Sequence, residues 1–210
     1  MIKLLFTLTR SLGILCSFLA PKRLLLLFKK FADSFYSGFY STSFQECGSG
    51  FNVSYPSEFL GSKYMKIGRN FSSFARLRLE AFDRHNNNFY TPEVIIGNNV
   101  SINFDCHIGC VNKITIGNNV LIASKVFITD HFHGEITKAS LTEAPSIRKV
   151  TSKGPVVIEE NVWIGEGVAI MPNVTIGANS IIGANSVVTR SFPKNSVIAG
   201  IPAKLIKTLN

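Results

Sequence analysis

Aliphatic residues recur along most of this chain with a period of six. Aligned on that residue, the C-terminal part reads IEENVW, IGEGVA, IMPNVT, IGANSI, IGANSV and VTRSFP, beginning at Ile158, Ile164, Ile170, Ile176, Ile182 and Val188. The same frame appears earlier as IGNNVS, INFDCH and IGCVNK from Ile96, Ile102 and Ile108. After two extra residues it resumes as IGNNVL, IASKVF and ITDHFH from Ile116, Ile122 and Ile128. Position one is aliphatic, position two usually small, and position five mostly Val, Ser or Cys. Twelve such frames define a repeat architecture rather than a chance match.

Each hexapeptide reads as a short strand and a turn. The aliphatic residue fills the interior, the small residue at position five fits beside it, and Asn or Gly tolerates the left-handed backbone of a tight corner. One such strand cannot bury its apolar side alone, whereas stacked coils share a continuous core. The pattern therefore predicts a β-solenoid over 96–192. Residues 51–95 read as irregular first coils, 83–93 as a polar loop, and 193–210 as a C-terminal tail. An excursion at about 134–154 interrupts the frames, with Pro145 excluding a helix, and long excursions from rigid scaffolds tend to carry function.

Residues 1–50 break the pattern and read as a helical, basic and apolar segment. Composition and charge sharpen this picture. The 210 residues are 46% hydrophobic and 17% charged, which is globular. The net charge of +9 suggests nucleic acid, but Lys3, Arg10, Lys22, Arg23, Lys29 and Lys30 supply +6 within the first thirty residues, where no acid occurs. The remaining +3 is too weak for a nucleic-acid surface. Between Met1 and Phe31 no uncharged stretch reaches the roughly 18 residues of a membrane span. Two short helices broken at Pro21 are expected. They can pack on the rest of the chain or lie on an anionic membrane surface through residues 1–31; a cleaved signal is the third reading.

The cysteines at 16, 47, 106 and 110 form no disulfide framework, and Cys106-His107-x-x-Cys110 lacks a second ligand pair of the zinc type. Cys106 falls at position five and reads as a buried filler. No metal is expected. His131 follows a framed strand at a corner and directly precedes the excursion, where an imidazole can take a proton from an attacking hydroxyl. His133 is the competing base. No serine or cysteine sits in a nucleophile-elbow or Cys–His pattern, which favours direct transfer over a covalent intermediate.

Through LIASKVFITDHFHG (121–134), SKGPVVIEENVWIGEGVAIMP (152–172) and SVIAGIPAKLIK (196–207), the chain resembles the hexapeptide-repeat acyltransferases. It is most similar to their bacterial O-antigen and capsule O-acetyltransferase branch, and also to the galactoside and maltose enzymes. The resemblance implies an all-β, left-handed parallel β-helix with a short helical N-terminal segment and a protruding loop. It implies acetyl-CoA as co-substrate, a homotrimer, a sugar or lipid-linked glycan acceptor, and His131 as catalytic base. It matches Asn103 and Asp105 to acceptor contacts, with turn chemistry as the competing explanation at both; Trp163, at position six of its repeat and hence at a solvent-facing corner, and His133 join the substrate side. Ala184, Thr189, Arg190, Lys204 and Lys207 match coenzyme A positions, whereas Glu166 departs from the small polar residue of the galactoside enzymes. The expected site is cytoplasmic, or peripheral on the cytoplasmic face of the inner membrane. Two alternatives remain: N-acetylation of an amino-sugar nucleotide, and a non-catalytic β-solenoid scaffold.

Overall fold

The computed structural model describes residues 2–19, 22–135 and 137–209. Two helices, α1 (Ile2–Leu19) and α2 (Lys22–Ser41), precede a parallel β-solenoid. Pro21, the expected break, lies outside the described residues. Each coil contributes one short strand to each of three sheets. The first coil consists of Glu46–Cys47, Asn52–Val53 and Glu58–Leu60, and a later one of Lys113–Ile116, Leu121–Ile122 and Phe127–Thr129. Among the described residues the first and third sheets have six strands and the second has eight.

The six-residue frame maps directly onto this architecture. Ile96, Ile116, Ile158 and Ile176 stand in register in the first sheet, and Ile102, Ile122, Ile164 and Ile182 in the second. Ile108, Ile128, Ile170 and Val188 do the same in the third. All are buried, as are the position-five residues Val100, Cys106, Val120, Val126, Val162, Val168, Ser180 and Ser186. Position four carries the turn. Asn99, Asn119, Asn161, Asn179 and Asn195 have φ between 57° and 62°. Asparagine tolerates this left-handed region better than other side chains with a Cβ. With Asn70 these residues form a ladder along the corner between the first and second sheets. Each Nδ2 donates to the next Oδ1 at 3.0–3.1 Å.

Three boundaries differ from the pattern-based expectation. The helical segment ends at Ser41 and the solenoid begins at Glu46, not near residue 51. The first coils keep the parallel register of the later ones, but aromatic residues and Met65 fill them: Phe51 stacks on Phe71 at 5.6 Å, and Phe44 packs edge-on against Phe59. The tail is not a simple exit. Ser196–Gly200 adds a parallel strand to the second sheet, and Ala203–Thr208 returns antiparallel to it.

α2 covers the exposed edge strand at the start of the second sheet. Ser37 Oγ accepts from the Val53 amide at 2.8 Å, Asp33 accepts from the Tyr55 amide at 3.1 Å, and Tyr36 Oη accepts from the Ser57 amide at 3.2 Å. Tyr36 and Tyr40 also pack on the aromatic end of the core.

Two insertions leave the solenoid, both at the corner from the third sheet back to the first. Residues 82–92 carry a hairpin of Arg84–His85 and Asn88–Phe89. The second begins at Asp130, earlier than position 134, because Phe132–His133 pairs antiparallel with Val150–Thr151 to form a stem. The insertions touch: Tyr90 Oη donates to the Val150 carbonyl at 3.0 Å, and Asn86 Nδ2 to the Ser146 carbonyl at 3.3 Å.

The corner geometry yields a prediction. Asn119→Gly and Asn119→Ala both remove two ladder bonds, but only alanine is strained at φ 57°. Alanine should be less stable than glycine by about 1 kcal/mol in denaturant unfolding, the reverse of their order in ordinary backbone. Equal midpoints would show that this corner does not hold its φ.

Candidate active site

The chain turns out of the third sheet directly after Thr129, and Asp130 and His131 occupy that turn. Asp130 is fully buried. Its Oδ1 accepts from the Val111 amide at 2.9 Å and faces His131 Nδ1 at 3.0 Å; its Oδ2 accepts from the Asn112 amide at 2.8 Å and from the Cys110 thiol at 3.3 Å. Burial alone would raise its pKa, yet the bonds from His131, Val111, Asn112 and Cys110 outweigh this and hold it below the ordinary value. An ionised Asp130 favours the His131 tautomer that carries its proton on Nδ1 and its lone pair on Nε2. Thr129 Oγ1 lies 3.2 Å from the same Nδ1.

His131 is more enclosed than a corner residue was expected to be, with its side chain 13% exposed. Phe82, from the first insertion, meets it edge-on with ring centroids 6.2 Å apart. Gly109 lies beside it in the third sheet. A Cβ there would stand 3.3 Å from His131 Cε1 and 3.5 Å from His107 Nε2, so the missing side chain opens a notch between two imidazoles. Across the notch, His107 Nε2 pairs with Glu80 at 2.8 Å. Glu80 is held below the ordinary carboxylate range, first by that bond to His107 and then by Arg78, against the opposing effect of burial.

His133 sits in the stem, exposed, with its ring 6.4 Å from His131 and 5.5 Å from His85. Partial desolvation of its ring and these two neighbouring imidazoles push its pKa down. Burial raises the Cys106 thiol to about 11 and drives Cys110 higher still, so neither is a thiolate at neutral pH. Among the described residues no group of three or more His, Cys, Asp or Glu side chains is arranged to hold a metal ion.

The remaining residues of interest do not share one place on the chain. Thr189 and Arg190 lie exposed on the same corner as His131, two coils further along, about 10 Å at the spacing of neighbouring strands. The Arg190 guanidinium rests over Phe192. Asn103, Asp105 and Ala184 lie instead on the corner between the second and third sheets. Asp105 has φ 61° and holds Arg76 through both carboxylate oxygens, which gives it a structural occupation. Trp163 is not at a corner: it is a strand residue on the outer face of the second sheet, stacked between Leu121 and Ile181 and 52% exposed. Lys204 and Lys207 are exposed on the final antiparallel strand. One groove lies between α2 and Cys47–Asn52, away from His131; another cleft follows the excursion past Phe132, His133, Leu141 and Arg148.

Sequence reasoning missed the roles of Asp130, Gly109, Glu80, His107, Phe82 and His85. Only Asp130 carried a usable signal, as the acid directly before His131 in ITDHFH. The pair also sets an acid limb. Because Asp130 is depressed in the folded state, its stabilisation is complete above the unfolded value near 3.9 and is lost as pH falls through the folded value. Asp130→Asn should unfold about 1–3 kcal/mol more easily at pH 7 and lose less stability between pH 5 and 2 than the parent. Parallel pH–stability curves for the two proteins would refute this.

Comparison with known proteins agrees with the repeat. Residues 155–190 match the family described as bacterial transferase hexapeptide (six repeats). A protein of Escherichia coli (strain K12) named for lipopolysaccharide biosynthesis O-acetyl transfer, WbbJ, is 36% identical over 149 residues, 70% of this chain and 72% of its own length. The solved galactoside acetyltransferase in complex with coenzyme A superposes with a TM-score of 0.55 at 30% identity, covering 82% of this chain and 69% of that one. AntD, a Bacillus cereus N-acyltransferase solved with dTDP-4-amino-4,6-dideoxyglucose and coenzyme A, shares the fold at TM-score 0.67 and 22% identity, with coverage of 82% and 88%. Period, coil architecture and an O-acetyl transferase relative matched over most of both lengths lead to one assignment: the chain belongs to the hexapeptide-repeat transferases and is an acyltransferase enzyme.

Proposed function

We propose that the protein transfers an acetyl group from acetyl-CoA to a hydroxyl of a sugar in a bacterial surface-polysaccharide precursor, with His131 as general base. The observation that carries this reading is the His131–Asp130 pair, in which a buried, ionised carboxylate fixes the Nδ1 proton. His131 Nε2 takes the acceptor proton as the oxygen attacks the thioester carbonyl. The new C–O bond forms, the C–S bond breaks, and the departing thiolate takes the proton back from the imidazolium to give coenzyme A. Asp130 stabilises that imidazolium while it exists. The high pKa values of Cys106 and Cys110 give no thiolate to form an acyl-enzyme, which supports direct transfer.

The name of the Escherichia coli relative and the coenzyme A complex of the galactoside enzyme support the donor and the acceptor class. Thr189 and Arg190 would receive the coenzyme along the His131 edge, with Lys204 and Lys207 reaching its phosphates. We further infer that the coils wind left-handed and that three copies assemble side by side. The separation of the Asn103–Asp105–Ala184 corner from the His131 corner supports assembly, since one copy's Asn103, Asp105 and Ala184 can then face another's His131 edge. A cytoplasmic reaction is the location that a donor of this kind supports.

The test is acetyl transfer measured by thiol release and by the mass gain of candidate glycan precursors. His131→Ala should lower kcat about 10²–10⁴-fold while the KM for acetyl-CoA stays near that of the parent. Parental turnover in His131→Ala would sink the mechanism, and acetylation of amine but not hydroxyl acceptors would replace the acceptor class.

A further inference from the structure

α2 is amphipathic in an inverted sense. Its docked side carries Asp33, Tyr36, Ser37 and Tyr40, whose polar groups bond to the edge strand and its continuation. Roughly 180° away, at 100° per residue, lies a line of Leu24, Phe28, Phe31, Phe35 and Phe39. These five side chains are 40–80% exposed, with Phe31 at 64%, Phe35 at 80% and Phe39 at 69%. The most apolar face of the helix thus points away from the protein that holds it. α1 shows the same lack of cover: Ile2 through Phe18 are all exposed. No single described helix is long and apolar enough to cross a membrane.

Charge separates the occupants of this face. Lys22 and Lys29 lie on the docked side of α2 and Arg23 and Lys30 about a quarter-turn from it, so that none falls on the Leu24–Phe39 line, while α1 adds Lys3 and Arg10. Lys29 is neutralised by Asp33, leaving five cations and no free acid up to that point. A second copy of the same surface would set like charges against one another. An anionic bilayer would meet the cations with its headgroups and accept the aromatic line below them.

We propose that the Leu24–Phe39 face of α2, together with α1, docks the protein peripherally on an anionic lipid surface. The docked side anchors α2 to the first coil, so the helix lies between membrane and solenoid. This orients the N-terminal coil toward the lipid, with the two insertions of the His131 corner carried one to three coils above it. The inference does not depend on the acyl acceptor.

The experiment is co-sedimentation of the full-length protein with phosphatidylcholine vesicles, with and without phosphatidylglycerol. The parent should partition onto the anionic vesicles and release as salt is raised. Phe31→Ser combined with Phe35→Ser should weaken that partitioning by roughly tenfold or more, since both side chains lose their burial in lipid. Because both face away from the solenoid, thermal unfolding should be unchanged. Arg23→Gln with Lys30→Gln should weaken binding selectively on anionic vesicles. A parent that stays in the supernatant overturns the proposal, as does a double serine variant that binds like the parent. Light scattering without lipid identifies the competing occupant: a parental oligomer that dissociates in the serine variant, with no vesicle binding, would assign the face to a second copy.

Discussion

A coil of this solenoid closes only if its corner passes through the left-handed region of backbone space, and that requirement organises the molecule. A residue with a Cβ is strained there, and asparagine is among the side chains that tolerate it best. Asparagine also brings an amide that can donate upward and accept from below. Six of them in line make a hydrogen-bonded rail from Asn70 to Asn195. The rail fixes the axial register of successive coils, and register in turn places isoleucine on isoleucine in all three sheets. Two-residue strands would be negligible singly; stacked, they share one continuous core.

A scaffold held this firmly allows one corner to depart from the rule. Between the third and first sheets the described residues form no such ladder, and both insertions leave there and meet each other. At that corner a carboxylate is buried under His131. An ionised group in this position would be costly without compensation, but Asp130 collects two backbone amides, a thiol and the imidazole. The amides of Val111 and Asn112 come from the preceding coil, so the ring orientation of His131 is ultimately set by coil-to-coil register. Gly109 extends the same logic: the strand is built to leave out a side chain where two imidazoles approach.

How much of this was legible follows from distance along the chain. The isoleucine frame and the asparagine corners repeat locally and could be read directly. The first coils could not, since Phe51, Phe59, Met65 and Phe71 replace the aliphatic signal while keeping the geometry. His131 was accessible through its motif, but Phe82 reaches it, and Glu80 and His85 reach its neighbours His107 and His133, only because one turn of the solenoid spans 29 residues in one place and 20 in another. Those lengths depend on where each insertion begins and ends, and a pattern does not fix that. Trp163 illustrates the converse: its repeat position correctly implied exposure, yet the strand started one residue earlier than the frame suggested.

The N-terminal end poses the problem every open solenoid faces, an edge strand with unpaired amides and carbonyls. An apolar helix face laid over that edge would bury those groups without partners. α2 instead presents Ser37, Asp33 and Tyr36 to the amides of Val53, Tyr55 and Ser57. Every second residue of the strand and its continuation thereby gains a polar partner. Once the inward face is committed to that task, the bulky apolar residues of the helix have only the outward face left. Exposure of Phe31, Phe35 and Phe39 is therefore a consequence of how the end is capped. Serine or alanine at those positions would cap the edge equally well, so the capping role does not account for five large apolar side chains in one line. The proposed docking on a lipid surface accounts for their presence, and the surrounding cations favour an anionic one.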